Sequence, residues 1–533
     1  MLYLTSYKSF VYDEWAFIAS RRPWRLELIL LPHNVHWSTI PILVWKLLFV
    51  VVGLRSHIPY EAASLAVHVA CVFLLFVLIR SRSGDLPAFG AALTLLVLGK
   101  GAENIVWAFQ IGWVGSVAFG LLAMWLLVGD PSFPGRLLPV SVAVLCSLMC
   151  SSVGLAFVAA IGVELLLDPH RRRFLVTLVV PIVTFVAWFL TFDTGSVPGS
   201  PGISDSLHYA PVDLALVEDI AAFVATGLGA SASGVLAGAV PGAVALFIIA
   251  GLIAFQWYRQ REIESWQLGM IAGILVWFIF VALGRVQFGP AFAVQSRYLY
   301  VGIVFLLPLV AHVARELPWR GLWRPVLGVA VAFVLSANII ELRDLAISQT
   351  YFMTFQAAEL QTVEAFRGAP DMAVNHPIDN SIMPQLHAAD YLAAIDELGS
   401  PVPRLSIEAL RNLPPEAVDR VMVNLFGDAL ALKTVSSRST QALHCRVVDS
   451  TAGSTLDLLV PDDQSLMLQS SQRGEASLFL GYMLPPTSDA QHQVQLISST
   501  PEWLHLPNTG KPVLWQVRIT TGAVGMFRVC GPA

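Results

Sequence analysis

Charge is scarce in this chain. Asp, Glu, Lys and Arg make up 13% of its 533 residues, hydrophobic residues make up 56%, and the mean hydropathy is +0.67. An ordinary water-soluble globular protein carries about twice that share of charge, so that class is excluded for most of the sequence. Cysteine is sparse too, with five in all. Cys71, Cys146 and Cys150 lie inside apolar blocks and read as small packing residues. Cys445 and Cys530 lie in the polar tail, where a disulfide between them is open if that tail is extracytoplasmic. Near Met1 there is no sequence of short basic region, apolar core and small-residue cleavage site, so no secretory signal peptide is expected. The net charge of −5 carries little meaning when the two halves sit in different solvents. No nucleic-acid partner is expected.

What is present is a series of long apolar blocks, at 62–79, 137–167, 174–192, 240–257 and 268–283. A helix needs about 20 apolar residues to cross the hydrocarbon, so these blocks are candidate spans. Positive residues favour the cytoplasmic side of short loops. One arrangement puts all four basic clusters inside: Arg80 with Arg82, His170 to Arg173, Arg259 with Arg261, and Arg315 with Arg320 and Arg324. The spans then fall at 61–80, 86–100, 107–128, 137–151, 153–167, 174–192, 239–257, 268–284, 298–315 and 326–343. The Ser151-Ser152-Val153-Gly154 break favours a tight hairpin within 137–167. The segment 212–239 opens with Asp213, Glu218 and Asp219, so its first half is expected to lie at the outer surface. Gly234, Gly238 and Gly242, beside Pro241, permit close helix approach. Residues 38–54 are apolar enough to span, or to form a re-entrant pair of outer helices. Charge mildly favours the first option.

The fold expected is an all-α polytopic membrane domain over 1–345, with about 10 spans and outer juxtamembrane helices. A soluble α+β or β-sandwich-like domain follows over 346–533. In that tail, 350–367 and 388–398 read as helices, and 407–421 continues the pattern with Pro414 and Pro415 interrupting. From 442 onward short alternating runs, at 444–448, 455–460, 477–480, 493–497, 513–520 and 524–530, are separated by turn clusters, as in a small sandwich. Trp503 and Trp515 read as core, with sugar stacking as the alternative.

Three constellations can carry chemistry. The first is Tyr12-Asp13-Glu14-Trp15 with His33-Asn34-Val35-His36-Trp37. Adjacent carboxylates at a membrane edge can accept a proton from a hydroxyl or hold a divalent cation, and His33 and His36 can ligate metal or donate to phosphate. The bland alternative is a solvated interfacial loop in an aromatic belt. The second is Gln295-Ser296-Arg297-Tyr298, where an arginine fork can grip phosphate or merely anchor a helix end. Arg285 is a second cation in that loop. The third is Lys100-Gly101-Ala102-Glu103-Asn104 with Trp107 and Gln110. Ionisable groups in such a turn are functional candidates, unless Lys100 and Glu103 simply pair with each other.

The layout and these motifs resemble the GT-C superfamily of integral membrane glycosyltransferases, the polyprenyl-phosphate-dependent group that includes protein O-mannosyltransferases and aminoarabinose transferases. Asp13-Glu14-Trp15 looks like the acidic pair that opens the family's large outer loop, here 10–60. His36-Trp37-Ser38-Thr39-Ile40-Pro41 is similar to its His-Pro-Pro-Leu region, without the double proline. Glu103-Asn104 stands where many members carry a second outer acid, and Arg297-Tyr298 looks like the Arg-Tyr pair before a late span. The first transmembrane helix of that layout is not found. The resemblance implies inverting transfer of a sugar from a polyprenyl-phosphate donor to an acceptor hydroxyl of a glycan, lipid or protein. This would take place at the outer face of the plasma (inner) membrane. Asp13 would be the base and Glu14 its companion. Glu14 and His36 would be the ligands of any divalent cation. Arg297, Tyr298, Arg285 and Lys100 would hold the donor phosphate, with His33, His36, Trp37, Glu103, Asn104 and Gln110 lining the cleft. A transporter or flippase of lipid-linked sugars and a non-enzymatic glycan-binding membrane protein are the alternatives.

Overall fold

The computed structural model describes residues 9–128, 134–192, 214–317, 321–429, 431–434, 443–450, 455–470, 474–481, 491–496, 502–521 and 525–532. The expectations for the loop at 193–213, including Asp213, and for the turn at 485–487 lie outside these. The chain divides into two compact units. A bundle unit comprises Pro23–Val51 and Ile58–Thr350; a tail unit comprises Lys8–Arg22, Val52–His57 and Tyr351–Ala533.

In chain order the helices are α1 (Asp13–Arg21), α2 (Leu26–Leu30), α3 (Thr39–Val51), α4 (Ile58–Ser83), α5 (Asp85–Leu96), α6 (Glu103–Val106), α7 (Ile111–Leu126), α8 (Leu137–Cys150), α9 (Gly154–Leu167), α10 (Val176–Phe192), α11 (Leu214–Val235), α12 (Gly242–Gln260), α13 (Ser265–Arg285), α14 (Ser296–Ala314) and α15 (Trp323–Ala365). Eight helices among the described residues are long and apolar enough to cross a membrane, and α3, α5, α8 and α9 are shorter apolar helices. The protein is an integral, multi-pass membrane protein. α14 lies at the centre of the bundle, with Tyr300, Val301 and Ile303 fully buried. Many large apolar residues of α10, α12 and α15 are exposed, as suits helices whose solvent is lipid.

The tight hairpin expected within 137–167 forms. α8 ends at Cys150 and α9 begins at Gly154. Hydroxyls satisfy the backbone there: Ser116 donates to the Ser147 carbonyl at 2.9 Å, and Ser147 donates to the Ser116 carbonyl at 2.7 Å. α11 is one continuous helix that packs along the 3₁₀ segment Pro290–Val294 and then against α13 and α14. The closest backbone approach of α11 and α12 is Gly229 to Gly242, where a Cβ on Gly242 would come within 2.9 Å of the Gly229 carbonyl carbon. Gly234 and Gly238 serve elsewhere: a Cβ on Gly234 would strike Ile303 and crowd the Lys100 stem, and one on Gly238 would lie 3.3 Å from Lys100 Cε. The span expected at 326–343 and the helix expected at 350–367 are a single element, α15. Glu341, Arg343 and Asp344 sustain a helix, and no glycine or proline stands between Gly328 and Gly368.

The two ends of the bundle differ in their chemistry. At one end Glu164 accepts from Arg82 at 3.4 Å and Arg171 at 2.8 Å. The Arg82 guanidinium stacks 4.7 Å from the Trp266 ring centroid, and its carbonyl accepts from Arg315 at 3.3 Å. Gln256, just before Arg259, donates to the His312 carbonyl. Arg82, Arg171 and Arg315, with Arg259 just after Gln256, therefore gather at this end, and Arg297 lies at the other end of α14; Arg320 lies outside the described residues.

In the tail unit, α1 packs Trp15 edge-on to Tyr391 at 5.2 Å, and Arg22 pairs with Glu397 at 2.6 Å. Helices α16 (Ala388–Leu398) and α17 (Pro415–Phe426) flank a small hairpin of Pro377–Asp379 and Met383–His387. Pro415 starts α17 rather than interrupting it, because a first-turn proline lacks only an N–H that had no helical partner. The remaining strands form two antiparallel sheets of four and five strands, as a sandwich-like reading requires. Trp515 is fully buried, with its indole N–H donating to the Pro507 carbonyl at 3.1 Å, so it belongs to the core. Cys445 and Cys530 are bonded to each other across paired strands.

Candidate functional site

His33 and His36 face each other across a two-residue turn. Each backbone N–H donates to the other's carbonyl, at 3.0 and 2.9 Å. Asn34 and Val35 both adopt left-handed backbone, φ 45° and 66°, the pattern of a type I′ turn. Asparagine tolerates that region, but a β-branched valine does not adopt it without strain. The surroundings enforce it: Ser152 donates to the Val35 carbonyl at 3.3 Å, the His33 ring packs on Phe109 and the His36 ring on Trp113. Trp37 stacks on Trp188 at 5.1 Å, and its indole N–H donates to Thr39. The hairpin thus presents two rings at fixed positions beside the start of α7.

Arg297, in the first turn of α14, donates to Glu103 Oε1 at 2.8 Å and lies 5.2 Å from the Tyr298 ring centroid. Tyr298 packs in turn against Trp113 and Phe292. Arg285, at the last turn of α13, donates to the Gly284 carbonyl and has no carboxylate partner among the described residues. Burial, with the fields of Arg285 and Arg297 adding to it, pushes His36 down from 6.5 to about 3. His36 is therefore a neutral ring at any ordinary pH. The structure brings together His33, His36, Trp37, Arg285, Arg297, Tyr298 and Glu103 in the bundle unit, at the end away from Arg82.

Lys100 and Glu103 do not pair with each other. Lys100 is salt-bridged to Glu341 of α15, and the neighbouring Gly99 N–H donates to the Asn338 side chain at 2.8 Å. Glu341 was not singled out from sequence. A carboxylate near the end of an apolar span was the available signal. Asn104 and Gln110, from the same turn, are 0% and 2% exposed. Neither amide atom of Asn104 and not the Gln110 Oε1 has a hydrogen-bond partner among the described residues.

Asp13 and Glu14 open α1 in the tail unit. They have different environments. Glu14 is fully buried, accepts from the Val11 N–H at 2.8 Å and sits 3.2 Å from His57 Nε2. Asp13 is half-buried, and Tyr12 before it holds φ at 46°, a second strained non-glycine residue beside a sequence-selected motif. Of the two cation ligands expected, Glu14 lies in the tail unit and His36 in the bundle unit. Among the described residues, no group of three or more His, Cys, Asp or Glu could hold a metal ion.

No family model matches the chain, and no curated protein matches it. Among solved structures it is similar to ArnT from Cupriavidus metallidurans bound to undecaprenyl phosphate, at 14% identity, covering 78% of this chain and 86% of that one with a TM-score of 0.47. The apo state of ArnT gives 13% identity, 76% and 83% coverage, and a TM-score of 0.45.

Proposed function

We propose that this protein is a membrane glycosyltransferase that moves a sugar from a polyprenyl-phosphate donor to an acceptor hydroxyl on the non-cytoplasmic face. The observation that carries the reading is the Arg297 end of the bundle. Two guanidiniums, one of them steered by Glu103, flank a neutral histidine on an aromatic wall. A lipid-borne phosphate needs such a place at the edge of a bilayer: fixed positive charge with planar donors and little water. As the glycosidic bond breaks, its electron pair leaves with the phosphate oxygen. Arg297, supported by Arg285, neutralises the charge that develops there, which is commonly the largest catalytic term. The acceptor oxygen attacks the anomeric carbon from the opposite side and gives its proton to a general base, so the configuration inverts.

For the base we propose Asp13, which is half-buried, rather than Glu14, which is fully buried beside His57 and the Val11 N–H. No step is routed through a cation. The Cys445–Cys530 disulfide supports an oxidising, extracytoplasmic location for the tail unit. The gathering of the basic clusters at the Arg82 end supports a cytoplasmic location for that end. Reconstitution into proteoliposomes with a labelled polyprenyl-phosphate sugar tests the reading. Labelled product formed from acceptor is expected. Movement of intact donor across the membrane without product would replace the enzyme with a transporter.

A further inference from the structure

The buried polar groups behind the Arg297–Glu103 pair form a set that the phosphate chemistry does not use. α4 packs against α6, the 3₁₀ segment Ala108–Gln110 and α7. Its register is fixed by Cys71, whose thiol donates to the Val114 carbonyl at 3.2 Å, and by His68, 2.9 Å from the Tyr300 hydroxyl. Ser64 lies one turn beyond His68 on the same face, toward the end where Asn104 and Gln110 are placed. Ser64, Asn104 and Gln110 are 1%, 0% and 2% exposed. The Ser64 hydroxyl, both Asn104 amide atoms and the Gln110 carbonyl oxygen have no hydrogen-bond partner among the described residues. Burying amide and hydroxyl groups in this state is unfavourable, because each has given up its water without gaining a partner. Three of them on elements packed against one another are accounted for by a ligand that brings matching hydroxyls.

The charges around them indicate which ligand. Glu103 is taken by Arg297, Lys100 by Glu341, and Glu61, one turn before Ser64, has an interaction partner of its own. What remains open to a ligand is uncharged, and the nearby guanidiniums oppose a cation. Resting on the transferase reading, we infer that Ser64, Asn104 and Gln110 bind the sugar of the lipid-linked donor, and that they select a neutral polyhydroxylated sugar over an amino sugar.

The test uses the full chain in proteoliposomes and three lipids: bare polyprenyl phosphate, polyprenyl-phosphate hexose and the matching amino-hexose. Wild type should bind the hexose lipid at least about tenfold more tightly than the amino-sugar lipid. Asn104→Leu and Gln110→Met should each weaken hexose-lipid binding about tenfold and leave bare polyprenyl phosphate unchanged. Asn104→Asp, which keeps the shape and adds a carboxylate, should reverse the preference; it also serves if the apolar variants fail to fold. Unchanged hexose-lipid affinity in the variants, or a wild-type preference for the amino sugar, overturns the inference. If wild type binds the lipids with the expected selectivity but yields no product with any donor and acceptor, the transferase reading fails while the sugar site stands.

Discussion

The two ends of the helix bundle carry similar residue types in opposite arrangements. At the Arg82 end, Glu164 is almost fully buried between Arg82 and Arg171, and Trp266 covers one guanidinium. Both guanidiniums are paired with the same carboxylate. At the Arg297 end one guanidinium is paired with Glu103 while Arg285 has no carboxylate partner among the described residues, a histidine is held neutral, and buried amide atoms lack partners there. The first arrangement closes a structure; the second leaves interactions for a ligand to complete. Arginine count alone does not separate the two, but the pairing of each guanidinium with a carboxylate does.

That contrast can be broken in order of effect. Asp13→Asn should lower transfer by roughly 10²–10⁴-fold, the range of a positioned base, with the protein still folded and inserted; undiminished turnover would remove Asp13 from the mechanism. Arg297→Ala should lower kcat/KM for donor by roughly 10²–10³-fold and abolish polyprenyl-phosphate binding, whereas unaltered donor kinetics would move the phosphate elsewhere. Glu164→Gln acts at the closed end. It strands two arginines and should cost about 3–5 kcal/mol of stability, read as a lower unfolding temperature, with donor KM unchanged in the protein that survives.

A pH experiment sharpens the same contrast. The folded protein holds His36 near 3, against an ordinary 6.5. Below pH 6.5 the unfolded chain therefore takes up a proton that the folded one refuses. The contribution of this group is complete above pH 6.5 and is lost as pH falls toward 3. Subtracting the pH profile of His36→Gln from that of wild type should isolate the loss, and Arg285→Ala should shrink it. Parallel profiles would show that the ring is not held in this field. The smallest effect is expected at the turn. Val35→Gly relieves left-handed strain and should stabilise by about 1 kcal/mol while reducing turnover through a looser pair of histidines.

Sequence reading reached the parts of this molecule that depend on local chemistry. Four of the five apolar blocks form helices long enough to span, the block at 137–167 folds as two shorter apolar helices joined at the Ser151–Gly154 hairpin, and the alternating runs after 442 are strands. It also chose Arg297, Glu103 and the histidine pair, which the bundle gathers at one end. The rest depends on partners distant in the chain. His57 as the companion of Glu14, and Glu341 as that of Lys100, lie 43 and 241 positions away, and no periodicity announces them. The fusion of two expected helices into α15 was missed because a run of charged residues reads as a boundary, although charge does not end a helix. The strain at Tyr12 and Val35 is a property of backbone angles, which residue names do not carry.

The histidine hairpin also limits how the protein can vary. With two residues between them, His33 and His36 form a facing pair whose rings leave the same side of the ribbon and meet aromatic rings four residues apart, Phe109 and Trp113. One inserted residue would break that pairing and leave one of the rings without its seat. Loop length is therefore under a tighter constraint here than loop composition, and redesign of donor preference has room in the identities of residues 34 and 35 but none in their number.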